Sequence, residues 1–82
     1  MSAPLTIENV WMAVSVEDNG DEGVVAAMIG DAWMPLIAAD RARLPFVIEY
    51  AEAIARQQDK TIKIIRLTDR NVIRTIAGRK EA

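Results

Sequence analysis

Two groups of side chains have the type and spacing that chemistry could use. Glu17, Asp18, Asp21 and Glu22 form one local carboxylate cluster, and clustered oxygens bind hard cations such as calcium or magnesium. The spacing does not follow a calcium loop, in which acids and amides alternate ahead of a glycine and a terminal glutamate. General acid–base work needs one carboxyl of a pair to be desolvated, and an Asp18-Asn19-Gly20-Asp21 turn keeps all four in water. The acids therefore read as a solvated hairpin tip. The second group is basic: Lys60, Lys63, Arg66, Arg70, Arg74, Arg79 and Lys80 crowd the last third of the chain.

Other reactive constellations are missing. With no histidine and no cysteine, the chain has neither the commonest general base nor a thiolate nucleophile, and it lacks the usual transition-metal ligands. Ser2, Ser15 and the threonines have no imidazole to activate them. The glycines stand singly at 20, 23, 30 and 78, so no phosphate-cradling loop is present. The expectation is a non-enzymatic protein with no catalytic residue, cofactor or metal.

Charge is unevenly distributed. Residues 1–55 carry a balance of minus 7 and residues 56–82 one of plus 5. An acidic pI near 5.0 argues against general nucleic-acid binding, yet Lys63, Arg66, Arg70 and Arg74 form a candidate site for an anionic partner, a nucleic-acid backbone or an acidic protein surface. Trp11, Trp33, Phe46 and Tyr50 all lie outside that segment, so the aromatic interleaving of single-strand binders is absent.

The elements that must position these groups are legible from periodicity. Asn19-Gly20 between two apolar runs is a strong hairpin signal. A two-residue turn there pairs Val14 with Val25, Met12 with Ala27 and Val10 with Ile29. One face then holds Val10, Met12, Val14, Val16, Val25, Ala27 and Ile29, and the other Trp11, Ala13, Ser15, Val24, Ala26 and Met28. Both faces are almost free of charge, whereas an antiparallel pair in a small domain needs only one apolar face.

After Gly30-Asp31 the run is apolar but broken by Pro35, which predicts a short edge strand over Leu36–Ala38. Leu44, Val47, Ile48, Ala51, Ile54 and Ala55 recur at helical spacing, so a long amphipathic helix is expected from about 41 or 44 to 58, entered through Asp40 and Pro45. Lys60–Leu67 reads as a strand apolar on both faces, or as one bulged near Ile64-Ile65. Thr68 or Asp69 could cap a short C-terminal helix with Val72, Ile73 and Ile76 inward.

The resulting expectation is a single α+β domain over residues 1–82, two-layered in the order β-β-(β)-α-β-α, with the helix on the more hydrophobic sheet face and frayed ends at about 1–6 and 78–82. Such a chain buries roughly 60–65% of its unfolded surface, and self-association is a natural supplement to its stability. Trp11, Met28, Trp33 and Met34, with Phe46 and Tyr50 on the helix flank, have the aromatic and methionine character of interface cores.

Function is accordingly expected in protein interaction, as a homodimer or on another protein, through an apolar sheet face or edge. An anionic partner is the alternative, and small-molecule binding or catalysis ranks third. No run suits a membrane span and no leader pattern opens the chain, so a cytoplasmic location is expected.

Overall fold

The computed structural model describes residues 3–78. The expected first turn forms, in a different geometry. Gly20 N–H donates to the Glu17 carbonyl at 2.9 Å, and Glu17 N–H donates to Asp21 O at 2.8 Å. Three residues, Asp18 to Gly20, thus lie between the closing pair, with Gly20 at φ 94°. This is a type I turn completed by a left-handed glycine, and it leaves Asn19 in an ordinary conformation. Asn19 works through its side chain instead: Oδ1 accepts from Asp21 N–H at 3.0 Å.

One extra loop residue shifts the register by one. Strand β1 (Val10–Val16) pairs antiparallel with β2 (Glu22–Val24) as Val14↔Val24, Ser15↔Gly23 and Val16↔Glu22. The expected partnership of Val14 with Val25 is corrected accordingly. The expected second strand is also divided. At Ala13 the edge of β1 passes from one segment to another: Val25 N–H donates to Ala13 O (3.0 Å), Ala13 N–H to Leu36 O (3.0 Å), and Leu36 N–H to Val25 O (2.9 Å).

Between Val25 and Leu36 the chain makes a second hairpin, β3 (Ala26–Ile29) with β4 (Ala32–Pro35), closed by Gly30-Asp31 with Gly30 at φ 62°. Pro35 is tolerated because this ribbon has only two strands and so consists of edges. β5 (Ile37–Ala38) then continues along β1, pairing Trp11↔Ala38 and Met12↔Ile37. It is the short edge strand expected at Leu36–Ala38.

Helix α1 spans Leu44–Gln58 with Pro45 in its first turn, where a missing N–H costs no helical bond. Asp40 does not cap the helix directly. Its Oδ1 accepts from Arg43 N–H at 2.9 Å and holds the entry turn. That bond, reinforced by the Arg43 guanidinium, lowers the Asp40 carboxyl below its ordinary range, against a smaller opposing effect of desolvation. At the other end Asp59 takes the left-handed conformation (φ 51°), and Lys60 N–H closes on Ala55 O at 3.1 Å.

β6 (Thr61–Leu67) returns antiparallel to β1 in seven uninterrupted pairs, from Val16↔Thr61 to Val10↔Leu67. The strand carries isoleucines on both faces, with Lys63 on one and Arg66 on the other, and has no bulge. β2 and β5 share one edge of β1 end to end, and β6 occupies the other. Since β5 and β6 are both antiparallel to β1, they are parallel to each other, and α1 crosses over β1 to join them.

The core lies between α1 and the sheet face of Trp11 and Ala13. Leu36, Ala38, Val47, Ala51, Val25 and Ala27 complete it, with Leu44, Tyr50, Ile54 and Ile62 packed against it. The expectation that the helix covers the more hydrophobic face is therefore reversed. Ala13, Ala38 and Ala51 allow helix and sheet backbones to approach closely, while Trp11, Leu36 and Val47 fill the flanks.

No C-terminal helix forms among the described residues: 68–78 have no regular structure. The expected helix is short and rich in β-branched residues, and isolated helices below about 12 residues are marginal. Residues 3–6 are exposed and irregular. Fraying at 1–2 and 79–82 lies outside the described residues.

Candidate interaction surface

The register of β1 with its neighbours builds the surface that α1 leaves open. Val10, Met12, Val14 and Val16 project away from the helix. On the same face the pairings add Ile37 from β5, Val24 from β2, and Ile65 and Leu67 from β6. Val14, at the centre between Val24 and Lys63, is buried, and Val10, Met12, Val16 and Ile65 are half-buried. Val24, Ile37 and Leu67 are exposed. The charged positions of this face, Lys63 and Glu22, are on the flanking strands.

The sequence-predicted interface residues do not form one patch. Trp11 is only 9% exposed, on the helix-covered face, with the Arg41 guanidinium 5.9 Å from its ring centroid in a cation–π position. Its placement as an interface anchor on an open face is corrected: it belongs to the core of its own chain. Met28 and Trp33 are cross-strand partners on the β3–β4 hairpin, both exposed, Trp33 at 67%. Register turns Met34 to the other side of that hairpin, where it lines an apolar cavity of about 400 Å³ with Ile29, Leu36, Phe46, Val47 and Arg43. Phe46 and Tyr50 stack along the helix with centroids 4.7 Å apart and planes tilted by 50°. Phe46 is exposed and Tyr50 half-buried against the core.

The basic candidates are likewise separated. Lys63 and Arg66 are three apart in β6 and so point to opposite faces, Lys63 opposite Val14 and Arg66 opposite Trp11. Arg70 and Arg74 lie in the irregular segment after β6, so the shared helical face expected for them does not exist. Among the described residues the one ion pair is Arg43 with Asp40. The carboxylates of the first turn surround an exposed tip, where Asn19 Nδ2 donates to Asp21 Oδ2 at 3.1 Å. No group of three or more potential metal ligands exists among the described residues, and no described helix is long and apolar enough to cross a membrane.

Val24, Ile37 and Leu67 were the surface residues least visible in the sequence. A two-residue turn places Val24 opposite Ser15 on the other face, and the one-residue change of register brings it here opposite Val14. Ile37 and Leu67 need the strand order, which no local pattern encodes. Comparison with known proteins adds no relative from which a role could be carried over: no family model, curated protein or solved structure matches this chain.

Proposed function

We propose that this chain is a small non-enzymatic interaction module that docks on a protein partner, its own copy or another chain, through the sheet face opposite α1. The supporting observation is the uncovered apolar face of β1 with Val24, Ile37 and Leu67 exposed around it. Exposed apolar side chains gathered on one sheet face of a small domain favour contact with another macromolecule. The exposed Met28–Trp33 pair on the adjoining hairpin has the residue types enriched at interface centres.

Photo-crosslinking from position 37 in the native host tests this reading. The expected result is one discrete adduct, lost when Val24→Lys is added to a chain that keeps its circular dichroism. Labelling no stronger than from the helix position 52 counts against it. Arg70 and Arg74, exposed and without an ion pair among the described residues, support a second reading as an anion-binding segment. Binding to a polyanion that weakens steeply with added salt would favour that alternative.

A further inference from the structure

We infer that the free edge of β6 joins a second copy of this chain in antiparallel register, making one continuous sheet whose open faces lie on the same side. This deepens the interaction-module reading by naming a partner and the surface that recruits it. β6 is seven residues long, has no proline or bulge, and among the described residues pairs with β1 alone. Its outer side therefore presents unpaired backbone donors and acceptors, a template for strand addition. The self-pairing that uses all seven residues places Ile64 on the two-fold axis. It sets Lys63 opposite Ile65 and Arg66 opposite Ile62 of the other copy, so neither cation directly faces a like charge.

Charge selects this partner. Thr61 lies beside Val16, at the end of the sheet that carries Glu17, Asp18, Asp21 and Glu22, whereas Leu67 lies beside Val10, at the end from which Arg70 and Arg74 depart. One end of each sheet is acidic and the other leads into a basic segment, and among the described residues no ion pair joins the two within a chain. Antiparallel pairing brings Leu67 of one copy beside Thr61 of the other. The basic segment of each then leaves the sheet one strand from the acidic tip of its partner, at the end where four acids outweigh Lys60. Ile73, 92% exposed, and the exposed Val72 and Ile76 on that segment are not covered by the described residues of their own chain.

A charge exchange tests the arrangement. Arg70→Glu/Arg74→Glu sets acid against acid in its homodimer, and Glu17→Lys/Asp18→Lys/Glu22→Lys, which leaves Asp21 as the one acid of the tip, sets base against base. Each should sediment as a weakened dimer, while an equimolar mixture restores association because both contacts are then complementary. Ile64→Lys brings two ammonium groups to the axis and should weaken association by about tenfold or more. Hydrogen exchange supplies an independent readout: alternate β6 amides exchange freely in a monomer, and protection of the whole strand should appear as concentration rises.

A strict monomer at millimolar concentration overturns the inference, as does a dimer indifferent to both charge variants. A dimer lost with Ile37→Lys but retained with folded Ile64→Lys moves self-contact to the sheet face, overturning edge pairing while preserving the proposed function. Loss of position-37 crosslinks with an intact edge dimer does the reverse.

Discussion

Leu36→Ala probes the junction on which this architecture turns. Leu36 is 1% exposed, and its backbone bonds to both Ala13 and Val25 where β1 passes from β2 to β5. The substitution keeps those bonds and removes three side-chain carbons. At about 0.8 kcal/mol per buried methylene the transfer loss is about 2.4 kcal/mol, and the unfilled cavity brings the expected cost to about 3–4 kcal/mol. A chain of this length is stabilised by only about 4–12 kcal/mol, so the loss should shift the urea midpoint strongly while leaving the slope unchanged. Circular dichroism at low micromolar concentration follows the transition without a large mass-action contribution from self-association. Trp33→Ala, at an exposed hairpin position, is the control and should stay within about 0.5 kcal/mol of the parent. A Leu36→Ala cost below that threshold, or equal costs at the two sites, would refute the placement of the core.

Three further outcomes follow from local geometry. Asp59→Gly should stabilise the chain by about 0.5–1 kcal/mol in thermal or urea unfolding, because it relieves a left-handed non-glycine residue and removes a negative charge at the helix C-terminus; destabilisation would show that the Asp59 side chain contributes more than its backbone strain costs. The Asp40 carboxyl is held below its ordinary range chiefly by the Arg43 N–H, so its contribution should be complete above the unfolded aspartate range and disappear as pH falls through the lowered folded value. Stability–pH curves of the parent and Asp40→Asn should differ in slope only in that acidic window. Trp11→Asp should unfold the isolated chain by burying an unpaired charge, and a folded monomer by circular dichroism and sedimentation would restore Trp11 to the surface.

Local signals were legible where a residue type imposes a conformation. Pro45 and the apolar stripe from Leu44 to Ile54 locate α1, and Lys60–Leu67 carries its strand character in β-branched residues. The turn at Asn19-Gly20 was visible, but its length was not: Asn-Gly supports a two-residue loop, while an Asn19 side-chain bond to Asp21 and left-handed Gly20 support the three-residue form that is present. Gly30-Asp31 also carried a hairpin signal. It was obscured because Pro35 demoted the strand after it, although a two-stranded ribbon accommodates proline at its edge. The expected terminal helix fails for a local reason: Val72, Ile73, Thr75 and Ile76 are β-branched and the segment is shorter than an isolated helix needs, although an open apolar sheet face is present.

The inversion of sheet faces has the largest functional consequence. Hydrophobic content alone favours covering the face of Val10, Met12, Val14 and Val16, because burial scales with apolar area. The helix instead seats where alanines admit its backbone and where Trp11 and Leu36 supply bulk on either side. Packing shape thus outweighs summed hydrophobicity, and the richer face remains uncovered. This displaced apolar surface is what supports the proposed interaction role. Pairing two copies along β6 would leave it open and continuous across the axis, so edge association and face docking can operate together on separate surfaces.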